Sequence, residues 1–168
     1  MRITGLIVAL GLILSGCAQS YRAEVYPIAS SLITSQFSGS GPVSIKNEAT
    51  EGRIQIGGPN SAGYTFWGDL RQITDTAISL LSGELSNRGF LVEKDASKIL
   101  KVKVIETRIS QDMGTRCSMQ FYVETADGYK RVYSAFNSGF THTRTCDGTI
   151  TKAVADVLND SKIIEYLK

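Results

Sequence analysis

Two stretches of the chain repeat apolar residues at helical spacing, and each predicts an amphipathic helix. The first begins after Asp69, whose carboxylate suits the free backbone N–H groups of a helix start, and it ends near Arg88 and Gly89. The second is expected to begin after Asp147 and Gly148, and a final turn follows it. The apolar faces consist of Leu70, Ile73, Ala77, Leu80, Leu81 and Leu85 in the first helix, and of Ile150, Ala153, Val154, Val157 and Leu158 in the second.

Other stretches alternate apolar and polar residues, which is typical of strands with one buried face. Residues 43–46, 53–56 and 90–92 predict short strands, and residues 99–109 predict a long one. Residues 117–125 and 129–140 are expected to pair as a hairpin around an Ala-Asp-Gly turn. Two amphipathic helices need a sheet face on which to bury their apolar sides. We therefore expect an α+β fold of two layers, a mainly antiparallel sheet with both helices packed on one face.

The N-terminal residues 1–17 have the layout of a secretory signal. Arg2 precedes an apolar run over residues 3–14, which is too short to cross a bilayer because a spanning helix needs about 20 apolar residues. Leu14-Ser15-Gly16-Cys17 resembles the lipobox of bacterial lipoproteins. That resemblance implies cleavage before Cys17 and acylation of Cys17, whereas the alternative is a buried N-terminal helix.

These features predict where the protein is located and how the chain is divided. Ala18 follows the cysteine, and an aspartate there would suggest retention at the inner membrane of a Gram-negative cell. We therefore expect lipid anchoring to the outer membrane, with the domain facing the periplasm. Residues 1–16 are interpreted as the signal peptide, residues 17–42 as the lipidated N-terminus and a serine-rich tether, and residues 43–168 as one domain. Part of the tether could instead form a short helix or lie on the domain.

Composition narrows the classes of partner and suggests a disulfide. Removing residues 1–16 leaves 168 − 16 = 152 residues and 17 basic against 16 acidic side chains, a net charge of +1. This balance produces no strong positive electrostatic field of the kind that attracts nucleic acid. Of the three cysteines, Cys17 is assigned to lipid, which leaves Cys117 and Cys146. Because exported compartments permit disulfides, we expect these two to pair.

His142 and Cys146 lie four residues apart and at first suggest a metal or nucleophile site. A structural zinc site needs about four Cys or His ligands and a catalytic site about three, but His142 is the only histidine. The expected disulfide also removes the thiol. We therefore predict no metal, no cofactor and no enzyme activity, with His142 in a strand and Asp147 at the start of the last helix.

Basic side chains are the remaining candidates for a partner contact. Lys101 and Lys103 share the polar side of the long predicted strand, where a solvated sheet face is the alternative interpretation. Arg116 and Arg144 flank the two cysteines, so a disulfide is expected to bring them together. Trp67 precedes the first helix and is expected to fill the core.

The order of these elements from Leu70 onward resembles that of the YajG-type lipoproteins of Gram-negative bacteria. The residues that carry the resemblance are Leu70-Arg71, Arg88-Gly89-Phe90, the strand around residues 100–105 and Ser161-Lys162-Ile163-Ile164. Residues 18–69 fit the family poorly, and the two cysteines are not expected in it. The family has no established catalytic residues, so the resemblance implies an outer-membrane lipoprotein without an assigned role.

Together these observations predict a non-enzymatic binding or scaffolding module of the cell envelope, with envelope proteins as partners. The alternative is a carrier or binding module for a small or lipidic ligand, held on the sheet face that the helices leave uncovered. A lined cavity would favour the carrier, and a solid core with a fully polar sheet face would count against it.

Overall fold

The computed structural model describes residues 17–168, so the predicted signal peptide lies outside the described residues. Among these described residues, eight strands and three α-helices follow one another. In order they are β1 (Ala18–Ser20), β2 (Pro42–Asn47), β3 (Arg53–Gly57), β4 (Thr65–Asp69), α1 (Leu70–Asn87), β5 (Leu91–Val92), β6 (Lys98–Gln111), β7 (Thr115–Thr125), β8 (Lys130–Gly139), α2 (His142–Asn159) and α3 (Ser161–Leu167), with a single 3-10 turn at Ser30–Leu32 between β1 and β2.

All eight strands belong to one sheet that is built around β6. Antiparallel β7 and β8 continue the sheet on one side of β6. On the other side, β2 pairs with the first part of β6 and β3 meets its far end at Gly57 and Ile109, both in parallel. β4 and then β1 extend the sheet beyond β3, and β5 pairs with β2. The predicted α+β fold with a mainly antiparallel sheet is therefore confirmed.

The core lies between one face of the sheet and helices α1 and α2. The alternation predicted for β7 is complete, because Cys117, Met119, Phe121 and Val123 are all buried while the residues between them face away from the helices. Asp69 caps α1 as predicted, since its Oδ1 accepts a 3.1 Å hydrogen bond from the backbone N–H of Gln72. Alternation and capping thus fix where the central elements lie.

Residues 18–42 lie on the domain, so the flexible-tether interpretation is wrong and the alternative that the sequence left open is correct. β1 pairs in parallel with β4, and the side chains of Tyr21 and Ala23 belong to the core. Further along, the side-chain oxygen of Asn159 accepts hydrogen bonds from the backbone N–H groups of Thr34, at 2.8 Å, and Ser35, at 3.0 Å. The packed domain therefore begins at Ala18 and not at residue 43.

Helix α2 begins at His142, which corrects the prediction of a strand there and of a helix start at Asp147. In place of an apolar stripe, the early turns are stabilised by the bond of Cys146 to Cys117, by the hydrogen bond that Asp147 accepts from Tyr21 and by local threonine bonds. Thr145 and Thr149 bond back to carbonyl oxygens one turn earlier, at 2.6 and 2.9 Å. Gly148 is a packing position and not a turn, since a side-chain carbon there would collide with the amide of Asn137.

Strand β4 was not predicted, and the role assigned to Trp67 is wrong. Phe66 is the residue that fills the core, and it is fully buried. Trp67, the next residue in the strand, projects to the opposite face because side chains alternate along a strand. There the guanidinium of Arg53 lies 5.3 Å from the centre of the Trp67 ring.

Candidate functional site: the uncovered sheet face

The sheet face opposite the helices is open and only partly polar. Ile105, Val132 and Phe136 lie on this face with exposed fractions of 37, 47 and 54%. Val132 and Phe136 alternate with buried Tyr133 and Ala135 on β8, so the strand directs them to the face that the helices leave uncovered. An isolated exposed apolar side chain is ordinary, whereas several on one rigid sheet face mark a candidate contact surface.

A groove of about 700 Å³ crosses this face where β3 meets β6. Ile105 and Phe136 supply apolar surface to the groove, and Arg108, Arg116 and Gln55 supply polar groups. The Nε atom of Arg108 lies 2.5 Å from a carboxylate oxygen of Glu106. Arg116 is the other cation of the groove, and it forms no ion pair with any of residues 17–168. We call the surface formed by Gln55, Ile105, Arg108, Arg116, Val132 and Phe136 the open-face surface.

The two lysines predicted as partner contacts lie further along the same face, where they already interact with neighbouring side chains. Lys101 is 3.5 Å from Glu124, and the Lys103 ammonium lies 5.1 Å from the centre of the Tyr122 ring. The hydroxyl of Tyr122 donates a 2.6 Å hydrogen bond to Glu124, and this bond lowers the pKa of that carboxyl. The lysines are therefore part of a cross-strand network on the exposed sheet.

The predicted disulfide between Cys117 and Cys146 is confirmed, with a Cα–Cα distance of 5.2 Å. Both cysteines are fully buried between β7 and α2. Since Cys117 faces the helices, Arg116 beside it faces the open side of the sheet, while Arg144 is exposed on the first turn of α2. The disulfide thus does not bring the two arginines into one patch.

The buried carboxylate of Asp160 forms a polar cluster that was not predicted. Its Oδ2 atom accepts hydrogen bonds from the hydroxyls of Tyr133, at 2.6 Å, and Tyr129, at 2.9 Å, and from Arg131 at 2.9 Å. Its Oδ1 atom caps α3 through the N–H of Lys162. Because the chain's own groups occupy both oxygens, the cluster joins β8 to the α2–α3 corner and has a structural role.

Residues 17–168 contain no group of three His, Cys, Asp or Glu side chains that converge as metal ligands. His142 packs its ring 5.4 Å from that of Phe66, at the start of α2. None of the helices formed by the same residues is both long and apolar enough to cross a membrane.

Cys17 lies at the edge of the sheet and is exposed. Its carbonyl oxygen accepts a 3.2 Å hydrogen bond from the N–H of Thr65, and β1 begins at the next residue. The predicted lipid attachment point is therefore fixed to the domain by backbone pairing.

Comparison with known proteins leaves the family open. No family model matches the chain, and no curated protein matches it. Among solved structures, the chain is similar to protein XCC0632 from Xanthomonas campestris, of the family DUF330, with 10% identity, a TM-score of 0.46 and coverage of 90% of this chain and 94% of that one. It is also similar to a PelC dodecamer from Paraburkholderia phytofirmans, with 17% identity, a TM-score of 0.37 and coverage of 73% of this chain and 85% of that one. Neither likeness bears on function at these scores, and the resemblance to YajG-type lipoproteins stays a prediction.

Proposed function

We propose that this chain is a lipid-anchored, non-enzymatic binding module of the cell envelope that presents the open-face surface to a partner protein. The observation that carries the proposal is the exposure of Ile105, Val132 and Phe136 beside Arg108 and Arg116 on a rigid sheet. Aromatic residues and arginine are enriched in protein interfaces, where an apolar centre is surrounded by a polar rim. A partner with an apolar centre and an acidic rim complements this surface.

The lipid anchor is supported by the sequence around Cys17. The lipobox resemblance implies an acylated Cys17, and several acyl chains on one residue form a stable anchor because each buried CH₂ contributes roughly 0.8 kcal/mol. The Cys17 side chain is exposed and so is accessible for modification. Ala18 in the following position favours the outer membrane over the inner one.

A carrier for a small or lipidic ligand is the second candidate, and it uses the same face. The groove volume of about 700 Å³ falls in the range of about 300–1,000 Å³ that is usual for small-molecule sites. The groove lies open on the sheet, and it is the opposite face that packs into the solid core. An open surface of this kind suits a protein partner better than an enclosed ligand.

Site-specific photo-crosslinking in living cells tests the binding surface. A photoreactive amino acid replaces Phe136 or Val132 in the full chain, and the matched control replaces Ser79, which is exposed on α1 in the helix layer. We expect one discrete adduct from positions 132 and 136 and none from position 79. Equal adducts from all three positions, or no protein adduct from 132 and 136, would contradict the proposal. A lipid adduct from the groove positions would favour the carrier.

The anchor is tested separately, by the mass of the N-terminal peptide and by separation of inner and outer membranes on a density gradient. The native chain is expected to carry acyl chains on Cys17 and to sediment with the outer membrane. The Cys17→Ala chain is the control and is expected in neither membrane. An unmodified cysteine at position 17 of the native chain would exclude the anchor.

A further inference from the structure

Two loop tips at one end of the sheet expose large apolar side chains completely. Met113, in the turn between β6 and β7, is 105% exposed, and Phe140, between β8 and α2, is 96% exposed. The other large apolar side chains that residues 17–168 expose reach only 37–61%. Both tips border one open depression of about 500 Å³, together with Asp112 and Gly114. We call Asp112, Met113, Gly114 and Phe140 the tip surface.

Strand directions place Cys17 at the same end of the sheet. β4 starts at Thr65 beside Ala18, and β3 runs back antiparallel to finish at Gly57, next to Ile109 of β6. The end of β6, the start of β7 and the end of β8 therefore lie at the end where β1 and β4 begin. A hydrogen bond of 3.0 Å between the side chains of Asn60 and Gln111 joins the neighbouring loops there.

The separation between Cys17 and the tip surface suits one flat contact. Three to four strand spacings at about 4.8 Å lie between β1 and the β6–β7 turn, which gives roughly 14–19 Å sideways. Along the strand direction, Cys17 lies about two residues beyond the level of Gly57, which is roughly 7 Å at about 3.3 Å per residue. Met113 lies about four residues beyond that level, which is roughly 13 Å. A plane that rests on the tip surface therefore passes within several ångströms of the acylation position.

No flexible segment separates Cys17 from the domain, because β1 begins at Ala18. An acyl chain on Cys17 consequently holds this end of the sheet, and no other, against the bilayer. Arg116 and Arg144 are both exposed near this end, and Asp112 is the acidic member of the tip surface. Cationic side chains at a bilayer surface are attracted by anionic headgroups.

We infer that Met113 and Phe140 insert into the outer boundary of a phospholipid bilayer beside the acylated Cys17, with Arg116 and Arg144 at the level of the headgroup phosphates. The inference rests on the proposed lipid anchor and extends it from attachment to orientation. The apolar face of a helix that lies on a membrane is buried about 5–10 Å into the boundary between headgroups and acyl chains, and we expect Met113 and Phe140 at a comparable depth. The open-face surface then stands upright on the membrane and faces sideways.

Depth-dependent fluorescence quenching tests this orientation on the full acylated protein in vesicles of phosphatidylethanolamine and phosphatidylglycerol. Met113→Cys and Phe140→Cys each receive an environment-sensitive label, and Ala126→Cys, in the exposed β7–β8 turn at the opposite end, is the matched control. Cys17 is acylated and Cys117 is bonded to Cys146 in that protein, so the introduced thiol alone reacts. Circular dichroism and an intact disulfide verify the fold of each variant.

Labels at positions 113 and 140 are expected to shift to the blue and to lose their emission to lipid-borne nitroxides, while the label at 126 remains sensitive to aqueous iodide. Equal behaviour at all three positions in acylated protein would overturn the orientation and leave the anchor standing. Protection at 113 and 140 only after a partner protein is added would make the tip surface a protein interface and also overturn it. A peptide mass without acyl chains on Cys17 would remove both the anchor and the orientation.

Discussion

The hydroxyl of Tyr21 donates a 2.7 Å hydrogen bond to Oδ1 of Asp147, which lies 126 residues further along the chain. The same oxygen accepts a 3.2 Å bond from the backbone N–H of Glu24. Both side chains are buried, with 2 and 3% of their surface exposed. This contact fastens the N-terminal segment to α2, so the segment next to the predicted lipid site is packed as part of the domain.

Replacing Tyr21 with phenylalanine is expected to lower the free energy of unfolding by about 1–3 kcal/mol, because a buried carboxylate loses its donor. Urea unfolding at neutral pH measures the change. Tyr26→Phe is the matched control, since Tyr26 is 53% exposed and its hydroxyl makes no bond to residues 17–168. Equal stability of the two variants would show that the Tyr21 bond contributes nothing.

Two buried carboxyls should make stability depend on pH with opposite signs. Burial raises the pKa of Asp147, and the bonds from Tyr21 and Glu24 offset this only in part. Burial also acts on Asp160, but the hydrogen bonds from Tyr133, Lys162 and Tyr129 and the charge of Arg131 outweigh it, so the pKa of Asp160 is lowered. The contribution of Asp147 to stability therefore increases as pH falls, while that of Asp160 is lost.

The Asn variants separate these two effects. The stability difference between the native chain and Asp160→Asn is expected to shrink as pH falls below about 4, the ordinary pKa of an aspartate. The native chain should become more stable relative to Asp147→Asn as pH falls through the range just above that value. Asp95→Asn makes the same substitution at an exposed position and serves as the matched control. Parallel curves for all three variants would contradict the assignment.

Removing the disulfide is expected to destabilise the domain. Cys117 and Cys146 are 29 residues apart, and the chain-entropy model gives about 3–4 kcal/mol for a loop of that size. The Cys117→Ala/Cys146→Ala chain should unfold at correspondingly lower urea concentration. Non-reducing mass analysis of the native chain isolated from cells should show two hydrogens fewer than the reduced form. Alkylation of both Cys117 and Cys146 without prior reduction would refute the bond.

A pair of glycine substitutions should act in opposite directions. Gly57 meets β6 so closely that an added methyl group would collide with the carbonyl oxygen of Ile109. Gly57→Ala is expected to weaken the β3–β6 junction and to destabilise the domain. Gly83 lies exposed in α1 with no atom near an added methyl group, so Gly83→Ala should stabilise the helix by about 0.5–1 kcal/mol. Thermal unfolding of both variants measures the signs, and a stabilised Gly57→Ala chain would show that the close approach is unimportant.

Sequence patterns predicted the elements that can be recognised from the alternation of buried and exposed residues or from contacts within a few residues. The alternation in β6 and β7 was readable because one face packs on helices and the other meets solvent. Asp69 was recognisable as a cap because its partner lies only three residues away. The disulfide followed from the predicted export of the chain and from the assignment of Cys17 to lipid, which together left Cys117 one obvious partner.

The remaining features depend on contacts between distant residues. β1 has only three residues, and its pairing with β4 depends on a strand more than forty positions away. The first turn of α2 has no apolar stripe. Gly148 suggested a turn, but a glycine lies there because Asn137 packs against it. Met113 and Phe140 are single apolar residues in loops, so only the folded topology reveals that they share an end with Cys17.

The pairing of β1 with β4 also limits how far the domain would extend from the bilayer under the proposed anchor. A lipoprotein with a long linker searches a volume of the periplasm, whereas the proposed acyl anchor on Cys17 would hold this domain within its own height of the bilayer. The fourteen residues of β6 span roughly 45 Å at about 3.3 Å per residue. Under the proposed anchor, a partner of the open-face surface would have to enter this thin layer, where lateral diffusion in two dimensions would govern encounter and effective concentration would be high. Membrane-embedded proteins with short periplasmic extensions satisfy that condition.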